Sequence, residues 1–258
     1  MWPPLTKNCL SVSGFWYVPG AGHAGEEQRG KMRMGSAHSE RVKEGSRSRV
    51  FHKKGQQRRE EILDAAEVGF ADHGYFGASL REIADVAGAN IGLINYYFRN
   101  KESLCGAVLE RRRSAFVFTI IDSLQTARAQ PDASIPSIIR AYIEPILALH
   151  EGEDAGWRNY VRLTARFMLA TDQREIKQAM AALESSAQYF MASLRAIAPE
   201  MCDEHFYTAM YVVEATLTYM LQDPTLLDRR SSGIHSISNL TAFLEHLVPV
   251  LGAGFRNA

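Results

Sequence analysis

Two short helix patterns joined by a glycine turn constrain this chain most. They lie in "SLREIADVAGANIGLINYYF", residues 79–98. Ser79 and Glu82 form the S-x-x-E pattern of a capping box, which predicts a helix start. One apolar stripe then follows at i, i+3, i+4 and i+7, formed by Leu80, Ile83, Ala84 and Ala87. Gly88 ends this helix and Asn90 caps the next, so the segment predicts a helix-turn-helix.

The second of these helices has two faces of different character. Its inner face consists of Ile94, Tyr97 and Phe98, and its outer face of Gly92, Asn95, Tyr96 and Arg99. In a helix-turn-helix the second helix enters the DNA major groove. There Gly92 lets the backbone come close, the Asn95 amide can pair with adenine, and Tyr96 can contact sugar or phosphate. Core packing is the alternative for Tyr97 and Phe98, and we accept it for Phe98.

Helix starts beside this motif add two phosphate contacts to the prediction. Asn100 caps a longer helix, and Lys101 in its first turn can hold a phosphate together with free backbone N–H groups. Ser79 offers the same at the start of the first short helix. Leu93 is either half-buried filler or a methyl contact to thymine. The predicted DNA-binding residues are Ser79, Asn90, Gly92, Leu93, Asn95, Tyr96, Tyr97 and Lys101.

The stretch "SLREIADVAGANIGLINYYFRNKESL" resembles the DNA-binding domain of TetR-type repressors. The residues in register with that family pattern are Ile83, Ala84, Ala87, Gly88, Gly92, Tyr97, Phe98, Lys101, Glu102 and Leu104. Upstream, "ILDAAEVGFADHGYFGAS" (62–79) resembles the first helix of the family. Ala89-Asn90, Ile91 and Asn95 depart from the usual residues, so the resemblance leaves the operator sequence open.

Charge is distributed unevenly along a chain whose formal net charge is zero. Residues 29–59 hold eleven Lys and Arg against two Glu, a net of +9, whereas the chain from Glu60 onward has 17 basic and 25 acidic residues. A basic arm on an acidic body suggests a nearby anionic polymer, although a solvated disordered tail has the same composition. We predict that residues 1–55 are a disordered basic extension. A translation start at Met32 or Met34 is the alternative, and it would remove the first 31 residues from the protein.

The remaining composition narrows the class of protein. Three widely spaced cysteines, Cys9, Cys105 and Cys202, fit a reducing compartment without a disulfide framework. No apolar run approaches the length of a membrane span. The segment after Lys7 is a poor imitation of a signal peptide, since Ser and Gly interrupt it. The expected location is the cytoplasm.

Helical patterns continue to the end of the chain, so the predicted fold class is all-α. Besides the helix at 57–72 before the motif, we predict helices near 134–150, 155–170, 173–198, 203–222 and 235–252. The predicted domains are a helix-turn-helix domain at 56–104, with its motif at about 79–98, and a second domain at 105–258. By resemblance the second domain binds an effector and forms a homodimer.

Two leucine- and methionine-rich stripes support the dimer. They suit a four-helix interface between two subunits, and the alternative is that both face their own core. The predicted interface residues are Met210, Val213, Leu217, Leu244, Leu247 and Leu251. Aromatic residues on the middle helices are the candidates for effector binding, although each alone is more often core. They are Trp157, Tyr160, Phe167, Tyr189 and Tyr211.

The function expected from these features is a DNA-binding transcriptional regulator, a repressor that binds a palindromic operator as a dimer and is released by a small-molecule effector. The sequence has no phosphate loop, metal-ligand spacing or nucleophile elbow, so an enzyme is disfavoured and no cofactor or metal is expected. The second alternative is a general nucleic-acid compactor, whose binding would depend on salt and little on sequence.

Overall fold

The computed structural model describes residues 37–167, 174–181, 183–223, 225–234 and 240–255, and all regular elements in these ranges are α-helices. The helices are α1 (Ala37–Gly77), α2 (Leu80–Val86), α3 (Ile91–Phe98), α4 (Lys101–Arg128), α5 (Ile135–Glu151), α6 (Ala155–Phe167), α7 (Arg174–Ala181), α8 (Glu184–Ile197), α9 (Asp203–Gln222), α10 (Leu226–Arg230) and α11 (Leu240–Ala253). The predicted all-α fold class is confirmed.

The first helix is longer than its sequence pattern indicated. α1 begins at Ala37 rather than near Gln57, so it includes residues 37–55 of the predicted basic extension. The physical reason is local: this stretch is rich in Arg, Lys and Glu, which favour helices even where no apolar face exists. At the other end Gly74 has a φ of 68°, so the helical conformation is interrupted two residues beyond the predicted helix end at residue 72. The expectations for residues 1–36 lie outside the described residues.

Side-chain caps fix the short helices of the motif. The Asn90 Oδ1 accepts a hydrogen bond from the Leu93 N–H at 2.8 Å, and the Asn100 Oδ1 accepts one from the Ser103 N–H at 2.8 Å. The Ser79 Oγ accepts from the Arg81 N–H at 3.2 Å, so Ser79 caps α2 as predicted, but through the second residue of the helix. Each cap satisfies a backbone donor that has no partner within its helix.

The second half of the described chain is a helical body around α4 and α5. α4 packs against α5, α7 and α8, whereas α5 also contacts α6 and α11. The helix predicted at 173–198 is two helices, α7 and α8. The short helix α10 was not predicted. The predicted helix ends at 168–173 and 235–239, together with Pro224, lie outside the described residues. None of the described helices is long and apolar enough to cross a membrane.

The predicted interface stripes of α9 and α11 face inward. Met210, Val213, Leu217, Leu244 and Leu251 are all buried within the single chain, whereas Leu247 is half-buried. Burial in one chain favours the alternative stated for these stripes, that they face their own core, and a place for these five residues in the interface stays a prediction. Both α9 and α11 have apolar residues on two faces. The face with the more regular spacing, which was predicted to form the interface, packs in the core.

Candidate nucleic-acid interface and effector cavity

The two faces of α3 separate as the sequence predicted. Ile94 and Phe98 are buried in the core, while Gly92, Asn95 and Tyr96 are exposed. Tyr96 has 79% of its surface exposed, which is unusual for a large aromatic residue. Nothing in the described residues covers this face, so its amide, phenol and bare backbone are available to a groove.

Gly92 has a second reason to lack a side chain. A β-carbon at this position would lie 3.2 Å from the Oδ1 of Asn90, the atom that caps α3. That separation is tighter than ordinary van der Waals contact, so a larger residue would press on the cap. Asn90 and Gly92 thus form one local unit: the exposed Asn90 starts the helix and Gly92 leaves room for it.

Leu93 and Tyr97 lie between the two faces of α3. Both are half-buried and pack against the core. The Tyr97 ring contacts the Tyr96 ring edge-on at 5.2 Å between centroids, and its hydroxyl lies close to Gly55 of α1. These positions support a role for Tyr97 in holding Tyr96 and α3 in place, so its direct contact to DNA stays a prediction.

Lys101 lies at the junction of α1 and α4. Its Nζ donates to the Phe76 carbonyl at 3.4 Å and lies 4.9 Å from the centre of the Tyr75 ring. Burial lowers the pKa of the Lys101 amine. Among the described residues Phe76 is the one hydrogen-bond acceptor of this ammonium, which has three N–H donors, so the phosphate contact stays a prediction.

Arg58 of α1 is a residue that sequence reasoning missed. Its guanidinium donates to the Ala87 carbonyl at 3.3 Å and to the Gly88 carbonyl, and it also pairs with Glu61 at 2.6 Å. It therefore ties α1 to the turn between α2 and α3, where Gly88 adopts a φ of 58°. No periodic signal could reveal this contact, because it joins residues about thirty positions apart.

A buried ion-pair network joins α1 to the first half of α4. Glu67 is 2% exposed, and its carboxylate accepts from Arg111 at 2.6 Å and from Arg112 at 3.1 Å. Asp64 takes a second guanidinium N–H of Arg111 at 2.7 Å. A third helix joins through α6, because Arg162 pairs with Asp72 of α1 at 3.0 Å. Helices α1, α4 and α6 are thus connected by charge-assisted bonds.

A cavity of about 600 Å³ lies inside the helical body. Helices α4 to α9 all contribute side chains to its wall. The lining includes Phe116, Ile120, Tyr142, Phe167, Met180, Met191 and Glu214. Its volume lies within the range of about 300–1,000 Å³ that is typical of small-molecule sites.

Only one of the five predicted effector residues, Phe167, lines this cavity. Tyr160 is buried behind the wall, where its hydroxyl donates to the Leu109 carbonyl at 2.9 Å, and Trp157 lies beside it under the Arg112 guanidinium. Tyr189 packs against Arg128, and Tyr211 is on the outer surface of α9. These four residues therefore do not line the cavity, because their helix faces point to other neighbours, and their part in effector binding stays a prediction.

The fold and the exposed α3 define a helix-turn-helix protein with a hollow helical second domain. Two family profiles match the chain: "Bacterial regulatory proteins, tetR family" over residues 62–108 and "Tetracyclin repressor-like, C-terminal domain" over residues 140–254. The chain belongs to the TetR family of transcriptional regulators, as its sequence motif indicated. This is a non-enzymatic family, in agreement with the prediction that the protein is not an enzyme.

Curated relatives include both a transcriptional repressor and a transcriptional activator. The chain is 45% identical over 47 residues to the HTH-type transcriptional repressor AcnR of Corynebacterium diphtheriae, covering 18% of this chain and 25% of AcnR. It is 31% identical over 102 residues to the HTH-type transcriptional activator FasR of Mycolicibacterium smegmatis, covering 40% of this chain and 44% of FasR. The matched segments thus span less than half the length of these two relatives.

A solved structure agrees in fold over most of the chain. The transcriptional regulator FadR from Bacillus subtilis, in complex with stearoyl-CoA, has a TM-score of 0.53 at 18% sequence identity. The match covers 76% of this chain and 98% of that chain. At this identity the likeness extends to the fold alone.

Proposed function

We propose that the protein is a ligand-responsive repressor that binds a palindromic DNA operator as a homodimer and releases it when a small molecule fills the cavity. The observation that carries the proposal is the outer face of α3, where Asn95 and Tyr96 stand exposed on a helix whose opposite face is core. The proposed domains are residues 56–104 for DNA and 105–258 for effector and dimer. The proposed location is the cytoplasm, where the DNA lies.

Asn95 is the proposed base reader and Tyr96 the proposed backbone contact. An asparagine amide can make two hydrogen bonds to adenine, whereas a phenol reaches sugar and phosphate. Ser79, Asn90 and Gly92 are proposed to bring helix starts and bare backbone close to the DNA. Lys101 is the proposed phosphate ligand at the start of α4.

The proposed dimer forms through the outer faces of α9 and α11. Four large apolar or aromatic residues of α9 are exposed although another face of that helix is core: Tyr207, Tyr211, Val212 and Tyr219. Val250 of the adjacent α11 is also exposed, and the half-buried Leu247 lies on the same helix. Such a patch on a protein surface usually marks an interface. A two-fold axis through it would relate two copies of α3, as a palindrome requires.

The proposed release of DNA follows from the position of the cavity. α4 starts directly after α3, and its Phe116 and Ile120 line the cavity. α6 ends in the cavity wall at Phe167, and its Arg162 pairs with Asp72 of α1. A ligand that favours one arrangement of α4 and α6 would change the spacing of the two α3 helices, which must match grooves about 34–36 Å apart. FadR from Bacillus subtilis holds stearoyl-CoA in the same fold, which supports a small-molecule effector.

Selection of bound sequences from a random DNA pool tests this proposal. We expect a palindromic site, and we expect Asn95→Ala to cost roughly 1–3 kcal/mol there and to relax sequence preference. Lys101→Ala is the matched control, because it should weaken all DNA alike and lower the salt slope by about one charge.

Recovery of no preferred sequence, with binding set by salt alone, would instead favour the nucleic-acid compactor. An unchanged ratio of operator to scrambled affinity in Asn95→Ala would remove the base-reading role. Reporter transcription from the selected site separates a repressor from an activator, since the curated relatives include both.

A further inference from the structure

The charge of the cavity wall points to the chemical class of the effector. Three ionisable side chains among the described residues line the cavity with a formal charge: Glu214 of α9, Glu184 of α8 and Lys177 of α7. Glu214 is half-buried, whereas Glu184 and Lys177 are exposed at the rim. Two carboxylates against one ammonium give this wall an acidic balance, with the acid nearest the interior on α9.

Glu214 lies where a carboxylate is poorly compensated. Burial and the nearby Glu184 raise the pKa of the Glu214 carboxyl, so both the surroundings and the like charge disfavour its ionised form. The ion pairs formed by the described residues involve other carboxylates, including Glu67, Asp72 and Asp223. A cation placed beside Glu214 would relieve both penalties.

Two buried hydroxyl groups of the wall, those of Thr164 and Ser186, point to the same class. The buried Thr164 donates its hydroxyl hydrogen to the Val161 carbonyl at 2.9 Å, and the buried Ser186 donates to the Leu183 carbonyl at 2.8 Å. Each hydroxyl can then offer a ligand only its oxygen lone pairs. Together with Glu214 they give the wall three acceptor groups, which suit a ligand that is a donor or a cation.

Aromatic and thioether groups form the rest of the wall. Tyr142 lines the cavity and is held by a stacked contact with Phe190, with ring centroids 4.0 Å apart. Phe116 and Phe167 add two further rings, and Met180 and Met191 add flexible apolar side chains. Aromatic faces attract cations, and methionine side chains adapt to irregular apolar shapes.

We propose that the effector is an amphipathic cation, an amine or quaternary ammonium at Glu214 whose apolar body fills the space among Phe116, Tyr142 and Phe167. The proposal rests on the proposed function, in which this cavity is the effector site. An anionic ligand such as a fatty acid would place its charge against Glu214 and Glu184, and Lys177 is the one cation among the described lining residues. The carboxylate of Glu214 is the residue that sets this preference.

Calorimetry with three probes of one chain length tests the charge preference directly, without DNA. The probes are decyltrimethylammonium, decanoate and 1-decanol, each used below its aggregation concentration. We expect the cation to bind at least about tenfold more tightly than either other probe, the scale of one charge-assisted contact. Tighter or equal binding of decanoate or decanol would overturn the proposal, as would a folded protein that binds none of the three.

Variants assign the preference to Glu214. Glu214→Gln should weaken cation binding about tenfold and leave decanol binding nearly unchanged. Glu204→Gln, an exposed position in the first turn of the same helix, should leave all three affinities unchanged. If Glu214→Gln does not fold, Glu184→Gln should still give a smaller loss that is specific to the cation. Full retention of the charge preference in a folded Glu214→Gln variant would contradict the proposal.

A second measurement keeps this inference separate from the proposed function. Each probe is added to the complex of the protein with its selected DNA site, and release is followed by fluorescence anisotropy. A cation that binds with the expected preference but does not release DNA supports the ligand class and contradicts induction. Release by decanoate alone would contradict the ligand class and support induction.

Discussion

The outer faces of α3 and α9 are similarly exposed. They differ in whether the sequence alone identifies them as surface. Tyr96 on α3 is 79% exposed and Tyr211 on α9 is 74% exposed. On α3 the outer face also carries Gly92 and Asn95, which no core would favour, so the sequence marks it as a surface for a partner. On α9 both faces are apolar, and nothing in the pattern tells which one is the core.

The consequence is that a regular apolar stripe identifies a helix face but not its neighbour. The spacing from Met210 to Leu217 is as regular as that of a dimer interface, yet it is core. The exposed residues Tyr207, Tyr211 and Tyr219 are four and eight residues apart, which is also compatible with one side of a helix. Three variants test this contrast between the two regions, beginning with the largest expected effect.

Leu244→Ala should be the most destabilising change on the face that the structure assigns to the core. The Leu244 side chain is fully buried, so we expect a loss of about 3 kcal/mol in the free energy of unfolding from lost burial and the cavity left behind. Leu247→Ala, one turn away and half-buried, is the matched control and should lose less. Urea denaturation at a fixed protomer concentration measures both, because dimer stability depends on concentration. Equal losses would mean that the two faces of α11 are not distinct.

Tyr211→Glu combined with Tyr219→Glu should separate the dimer without unfolding the chain. Both side chains are exposed in the protomer, but charges desolvated at an interface cost several kcal/mol, so we expect a dimer dissociation constant raised on the order of 100-fold. Sedimentation at micromolar concentration measures the dimer, and circular dichroism checks the fold. Gln188→Glu, exposed on α8, is the control for added charge. A double variant that stays dimeric would place the interface elsewhere.

Arg58→Lys should have the smallest effect and bears on the α3 region. Lysine keeps the positive charge but lacks the two guanidinium N–H groups that donate to the Ala87 and Gly88 carbonyls. These carbonyls can be rehydrated, so we expect a loss of about 1 kcal/mol in stability and a modest loss of operator affinity. Thermal melting and binding at two salt concentrations measure these effects, with Arg59→Lys as control. If both variants behave alike, the contact with the turn contributes nothing of its own.

The sequence predicted the local structure of the helix-turn-helix well because its signals are local. Ser79, Asn90 and Asn100 cap the helices that they were expected to cap, and Gly88 adopts the positive φ expected of a turn glycine. Each of these features depends on neighbours within four residues. The separation of Asn95 from Ile94 and Phe98 follows from the helical period alone.

The cavity and the core could not be predicted in the same way. Of the aromatic candidates only Phe167 reaches the cavity, since the others face α4, α8 or solvent. Glu214 was not singled out at all, because a single Glu in an apolar helix reads as an ordinary surface residue. Its role depends on Tyr142 and Glu184, which lie on other helices.

By itself, the sequence determined the all-helical class, the caps and turn of the motif, and the face of α3 that is turned away from the core. These properties follow from backbone conformation and helical period, which are set by residues close in the chain. The tertiary structure alone decided which apolar face of α9 is core, which side chains enclose the cavity, and how Arg58 and Glu67 join α1 to its neighbours. Those outcomes depend on packing between helices that are far apart in sequence, where several arrangements satisfy the same periodic pattern and only the summed burial and pairing selects one.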